Sequence, residues 1–282
     1  MFHMVSLEPI DYLVIGHITV DLTSSGPVLG GSAFYAALTA QSLGLRVGVV
    51  TVRASEIPLD LLEGIPVITG TAEHSTTFEN TYTSAGRVQY LRHVAPKVDF
   101  ALVPEVWRRA KIIHLAPVAQ EVEPLLPPDF KPTLLGLTLQ GWLRTWDAHG
   151  KVGPCAWPAA DSALSQAGAG VFSMEDIAND EEMLEHLAHS SRILAVTEAA
   201  EGARLFWHGD SRRFRPPNVS EVDPTGAGDI FAASFFVRLL NTRDPWEAAR
   251  FANRMAAISV TRVGFAGIPT PDEARSCLLE VL

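Results

Sequence analysis

With 282 residues, 47% of them hydrophobic and 19% charged, the chain carries enough apolar matter for one large core, as an ordinary globular protein does. Its formal net charge of −10, without any basic run, argues against nucleic acid and anionic membranes as partners; a nucleotide stays possible, because a divalent cation neutralises phosphates. Two cysteines, Cys155 and Cys277, are too few for a disulfide framework and predict a reducing, cytoplasmic setting; neither a signal peptide nor an apolar run of membrane-spanning length is read in the sequence.

Tyr12–Ile15 reads as a buried strand, and a helix is predicted from Ser32, after Gly30-Gly31, to Gly44. Val47–Val52 is the next strand, so the rhythm is strand, helix, strand, which points to a parallel sheet covered by helices. Residues 76–94 break this rhythm: two alternating stretches around Ser84-Ala85-Gly86 predict a β-hairpin of mixed polarity. Apolar strands resume at Lys111–Leu115, Thr133–Leu137, Ala169–Phe172 and Ile193–Thr197. Ile230–Val237 predicts a buried helix, and Pro245–Val260 an amphipathic one.

The most informative segment is Asp223-Pro224-Thr225-Gly226-Ala227-Gly228-Asp229, just ahead of the buried helix. Two glycines flanking an alanine at a helix start leave backbone N–H groups unblocked, and the helix N-terminus favours anions. Asp229 then adds a carboxylate beside that anion pocket, able to take a proton from an attacking hydroxyl. A plain capped turn has the same residues, so the local chemistry alone leaves both readings open. None of the nine histidines has zinc-site spacing, and P-loop and dinucleotide-binding glycine patterns are absent.

The seven-residue string and its apolar helix resemble the C-terminal signature D-x-x-G-A-G-D of the ribokinase-like (PfkB) carbohydrate kinase family. The resemblance implies an α/β class, ribokinase-like three-layer α/β/α fold with a mainly parallel central sheet. It implies one domain over 1–282, with a small β lid contributed mainly by about 76–94. Carried over by position, Gly226, Ala227 and Gly228 form an anion hole and Asp229 is the catalytic base. Asp21, Gly30 and Gly31 fall at the acceptor site, and Thr197, Thr225 and Asn253 near the nucleotide.

Where the family has Asn-x-x-Glu for Mg²⁺, this chain has Ser173 and Asp176, with Glu175 as a competitor. Asp223 and Thr225, with the 263–265 loop, resemble a monovalent-cation site of the kind that takes K⁺. Ser32 and Tyr35 stand where ribokinase-type members have Lys and Asn, and Ala199 replaces a glycine near the nucleotide. Gln140-Gly141-x-x-Arg144, with the later Ser-x-x-Asp, looks like the myo-inositol kinase branch and marks Gln140 and Arg144 as acceptor-binding. The expectation is therefore ATP-dependent phosphorylation of a small sugar or cyclitol, with Mg²⁺, and a homodimer through the lid is compatible with it. The alternatives are a kinase for ribose, fructose or a nucleoside, or a non-catalytic nucleotide- or sugar-binding regulator.

Overall fold

The computed structural model describes residues 7–23, 26–83 and 86–278. The first strands and helix are β1 (Tyr12–Ile15), β2 (Thr19–Thr23), β3 (Gly26–Gly30), α1 (Ser32–Ser42), β4 (Val47–Arg53) and β5 (Val67–Thr71). Then come β6 (Thr77–Thr83), β7 (Gly86–His93), β8 (Ile112–Leu115), β9 (Leu134–Thr138), β10 (Arg144–Trp146) and β11 (Val152–Pro154). The last part contains α2 (Ala160–Gln166), β12 (Ala169–Ser173), α3 (Glu181–Ser190), β13 (Ile193–Thr197), β14 (Ala203–Trp207) and β15 (Asp210–Phe214). It closes with α4 (Ala227–Thr242), α5 (Pro245–Ser259) and α6 (Pro271–Leu278).

Nine strands form one sheet in the order β15-β14-β13-β12-β9-β8-β1-β4-β5. Pairing is parallel from β13 through β5 and antiparallel at β14 and β15. A parallel strand covered on both faces needs apolar residues at every position, and β1 is buried throughout. Tyr12 and Val14 join Phe34 of α1 and Phe231 and Phe235 of α4 in one core. Leu13 and Ile15 join Trp107, Leu164 of α2 and Leu184 of α3 in the other. The helix α4 is apolar almost all round because it packs on α1, on α5 and on the sheet at once. At the centre of the sheet, His114 accepts or donates between the Tyr12 hydroxyl (2.8 Å) and Thr138 Oγ1 (3.2 Å), and burial pushes its pKa down to about 3.

A second sheet has four strands in the order β3-β2-β6-β7. The hairpin expected over 76–94 is β6 and β7; of its turn, Ser84 and Ala85 lie outside the described residues. The sequence reading had no place for β2 and β3, which supply the other half of this sheet. The reason is nonlocal: β2 lies parallel to β6, with Asp21 opposite Phe78, so its partner is remote in the sequence.

The small sheet joins the large one through a buried polar knot at the end of β1. Glu121, 1% exposed, accepts the amides of His17, Val118 and Ala119 at 2.7–3.0 Å. The His17 ring reaches Thr76 Oγ1 at 2.7 Å and the Pro96 carbonyl at 3.0 Å. A buried carboxylate held by several amides is stable only in that geometry, so the small sheet is mounted at a defined place. Among the described residues no helix is long and apolar enough to cross a membrane.

Candidate active site

The carboxyl ends of β8, β9, β12 and β13 open, together with the small sheet and the start of α4, into one cavity of about 760 Å³. This is where a doubly wound sheet leaves a crevice: β1 has β8 on one side and β4 on the other, so connections leave it in opposite directions.

One end of the cavity is built from residues 223–229. The Asp223 carboxylate accepts the Thr225 amide at 2.9 Å and the Gly264 amide at 2.8 Å, which fixes the turn against the 263–265 loop. Gly226 takes φ +78°, and a Cβ there would lie 2.5 Å from the Tyr35 ring. Only glycine meets both conditions. The Ala227 amide turns back to the Pro224 carbonyl (3.1 Å). Of the expected anion hole, the amides at the open first turn of α4 are thus those of Gly228 and Asp229, whereas Ala227 serves the loop. A Cβ on Gly228 would meet nothing within 4 Å, because the space above it is the cavity. Gly228→Ala is therefore expected to leave thermal stability nearly unchanged while weakening binding of a phosphate donor, measured by calorimetry with a non-hydrolysable nucleotide.

Asp229 sits at the cavity floor, reached only by the water the cavity admits. Burial lifts its pKa to about 6; the Ser32 hydroxyl, hydrogen-bonded to its carboxylate, and the Arg144 charge pull it back, while Asp176 and Asp21 add to the rise. Tyr35 stays neutral, its pKa raised by burial and by Asp229, Asp21 and Asp223. Ser32 and Tyr35 belong to the first turn of α1, so the two departures from the ribokinase pattern both touch the 226–229 segment.

The opposite wall is polar. Thr19 and Asp21 come from β2, Asn80 from β6, Gln89 from β7, Gln140 from the β9–β10 connection and Arg144 from the start of β10. Thr19 Oγ1 donates to Asp21 Oδ1 (3.1 Å) and Gln89 Nε2 to Asn80 Oδ1 (3.1 Å). The Arg144 guanidinium lies 5.8 Å from the Phe78 ring centroid and 4.0 Å from Asp176. Thr19, Asn80 and Gln89 escaped the sequence reading. Alternating polar residues on a hairpin look solvent-facing until β2 and β3 complete the sheet.

Of the residues expected from the sequence, Asp21, Gly31, Gln140, Arg144, Ser173, Thr197, Thr225, Asn253 and all of Gly226–Asp229 line this cavity. Gly30, Asp223 and Asp176 do not face it. Gly30 backs Asp21, since a Cβ there would lie 2.7 Å from its carboxylate. Asp223 is a loop staple, each of its oxygens accepting one amide.

Mg²⁺ is expected from the sequence at Ser173 and Asp176. Asp176 Oδ2 accepts the Ser173 amide (2.9 Å), its Oδ1 accepts Gln140 Nε2 (3.2 Å), and Ser173 Oγ accepts the Glu175 amide (3.3 Å). These two residues do not fit a metal, because Asp176 Oδ2 and Ser173 Oγ serve a capping box while Asp176 Oδ1 is taken by Gln140. Glu175 is the exposed carboxylate of that turn and does line the cavity. Among the described residues no group of three or more His, Cys, Asp or Glu could hold a metal ion.

Beyond the α4 start the wall turns apolar, with Pro216, Pro217, Val219, Ala256, Ala257 and Val260. Asn253, 4% exposed, donates to the Phe214 carbonyl at 2.6 Å and so ties α5 to the segment leading into 215–219. Ala199 adopts φ +49°, the left-handed backbone that explains a glycine in the family pattern at this place.

Residues 164–272 match the pfkB family carbohydrate kinase domain. The chain is 43% identical over 77 residues to inositol 3-kinase of Oryza sativa subsp. japonica, a match covering 27% of this chain and 19% of that protein's length. It is 25% identical over 290 aligned positions to probable fructokinase-4 of Arabidopsis thaliana, covering 88% of this chain and 87% of the relative. Among solved structures, a pyrophosphate-dependent kinase in the ribokinase family, complexed with a pyrophosphate analog and myo-inositol, superimposes with a TM-score of 0.74 at 21% identity, covering 88% of this chain and 94% of that one. The fold is therefore the ribokinase-like α/β fold, with a large mainly parallel sheet and a small second sheet.

Proposed function

We propose that this chain, whose residues 164–272 match the pfkB family carbohydrate kinase domain, transfers the γ-phosphoryl group of ATP to a hydroxyl of a small sugar or cyclitol, a myo-inositol-like acceptor. The observation that carries this reading is the place of Asp229. Its carboxylate lies between an open helix N-terminus and a wall of side chains suited to hydroxyl groups.

In this mechanism the acceptor lies against Thr19, Asp21, Asn80, Gln89, Gln140 and Arg144, whose amides, hydroxyl and charges match a molecule that presents several O–H groups. Asp229 takes the proton of one hydroxyl as its oxygen bonds to the γ-phosphorus. The bond from that phosphorus to the bridging oxygen breaks, and ADP leaves with the electron pair. The Gly228 and Asp229 amides face the charge on the transferred group, and Arg144 balances it from the acceptor side.

One feature favours ATP over pyrophosphate as donor. The apolar wall of Pro216, Pro217, Val219, Ala256, Ala257 and Val260 extends past the phosphate cradle, and a nucleoside would cover it. On the acceptor side, Gln140 and Arg144 line the cavity in the pattern that resembles the myo-inositol kinase branch, which favours a cyclitol acceptor over ribose or fructose.

The cavity wall carries Asp21, Glu175, Glu201, Glu221 and Asp229 against Arg144 and Arg215, so a polyphosphate enters a field of its own sign. Mg²⁺ bound with the nucleotide would supply the missing positive charge. Glu175 is the residue that would hold it, since this ion keeps most of its ligands as water and phosphate oxygens.

The test is an ADP-release assay across myo-inositol, ribose, fructose and nucleosides, with ATP and pyrophosphate compared as donors. Turnover only with ribose would remove the cyclitol assignment, and turnover only with pyrophosphate would remove the donor assignment. The pH profile follows from the base. Asp229 must be ionised to accept a proton, so kcat/KM is expected to be flat at neutral pH and to fall as pH drops through about 6. An acid limb near pH 4, where an ordinary carboxylate titrates, would contradict a buried Asp229 as base.

A further inference from the structure

We propose that Asp176 is a positioning residue for the acceptor, aiming Gln140 and Arg144 at the substrate hydroxyls, and that it holds no metal ion. The identity of the acceptor rests on the kinase reading above; the coupling of Asp176 to those two side chains rests on geometry alone.

Asp176 belongs to the single turn Met174–Ile177 that follows β12, and its side chain is 7% exposed. The capping box fixes its orientation, because Oδ2 accepts the Ser173 amide while Ser173 Oγ accepts the Glu175 amide. Oδ1 is thereby left aimed at the β9–β10 connection and the start of β10. There it accepts Gln140 Nε2 at 3.2 Å and faces Arg144 Nη2 at 4.0 Å. The Leu143 amide bonds back to the carbonyls of Leu139 and Gln140, which keeps Gln140 and Arg144 on one compact turn.

The consequence for each partner is specific. Gln140 gives one N–H to Asp176 and keeps its carbonyl oxygen and second N–H, an acceptor and a donor, which is what one hydroxyl requires. The Arg144 guanidinium, 12% exposed and beside the Phe78 ring, is held where a charge needs a counter-ion. A carboxylate already receiving two N–H groups and facing a guanidinium has little negative potential left for a divalent cation. The neighbouring Glu175 faces the cavity instead. The choice of Asp is also explained. A Glu at 176 would carry its carboxylate one methylene farther and displace both partners, although its longer reach would suit a metal ligand.

The experiment uses the full chain and two variants, Asp176→Asn and Asp176→Glu, with folding checked by thermal unfolding. Myo-inositol is titrated by calorimetry without metal or nucleotide, and Mg²⁺ is titrated in the turnover assay at saturating acceptor. Both variants are expected to weaken acceptor binding by roughly tenfold to a hundredfold, as loss of a buried charge-assisted contact does, raising KM more than they lower kcat. The Mg²⁺ half-saturation should stay within about twofold, less than loss of a metal ligand or its support would cause. Side-chain ¹⁵N spectra should show the Gln140 amide and Arg144 Nε signals displaced in both variants.

Unchanged acceptor binding with a shifted Mg²⁺ requirement, or full function in Asp176→Glu, would overturn the proposal. If the wild-type chain binds no polyol, the kinase reading has failed, and the ¹⁵N spectra still decide. Displaced Gln140 and Arg144 signals support the positioning role, and unmoved ones refute it.

Discussion

Asp229→Asn is expected to lower kcat by about 10²–10⁴ while making the protein more stable. The loss follows from removing the proton acceptor without changing the shape of the side chain. The gain follows from linkage. The folded chain raises the Asp229 pKa to about 6 from an ordinary value near 4, so between these limits the folded state binds more protons than the unfolded one. The stability of the folded state is full below the lower value and declines as pH rises through the upper one. At neutral pH the ionised carboxylate thus costs on the order of 2 kcal/mol, once cavity water is allowed for, and asparagine removes that cost. Thermal unfolding at pH 7 should give a higher Tm for the variant, and the difference should vanish near pH 4. A variant that loses activity together with stability would mean that the substitution damages the fold, and the base assignment would lose its support.

Arg144→Met carries the second large effect. Arg144 is the guanidinium whose field reaches Asp229, and it stands next to Gln140 and Phe78 on the acceptor wall. Its loss removes a charge that balances the transferred phosphoryl group, and kcat/KM is expected to fall by about 10²–10³. Because Arg144 lowers the Asp229 pKa, the acid limb of the pH profile should also move to higher pH in the variant. A fall in activity with an unmoved acid limb would place Arg144 outside the electrostatic reach of the base. Methionine keeps most of the stem, so lost packing contributes little to either readout.

The two halves of the site were not equally legible in the sequence. The 223–229 segment could be read because its signature is one short ordered string with the apolar run of α4 behind it; the positive φ of Gly226 is a local demand, whereas its lack of a Cβ answers to the remote Tyr35 ring. The parallel strands of the large sheet were legible for a similar reason, since burial on both faces leaves uninterrupted apolar runs such as Tyr12–Ile15. The acceptor wall was mostly hidden. Asn80 and Gln89 look like solvent-facing hairpin residues, and only the remote pairing of β2 with β6 gives that face a cavity to line.

The β14–β15 hairpin was missed too, although its two-residue turn, His208-Gly209, has positive φ at both positions, as tight hairpins prefer. Asp176 was found by its place in a pattern, but its role was not. Which way a carboxylate turns depends on the Ser173 cap and on Gln140, 36 positions away.

The most direct test of the account is a ³¹P NMR spectrum of the wild-type chain incubated with ATP, Mg²⁺ and myo-inositol. Transfer to a ring hydroxyl predicts a new phosphomonoester resonance that appears with ADP, requires the acceptor and is absent with Asp229→Asn. ADP and free phosphate without any phosphomonoester, for this acceptor and for ribose, fructose and nucleosides alike, would contradict phosphoryl transfer to an alcohol as the function of this site.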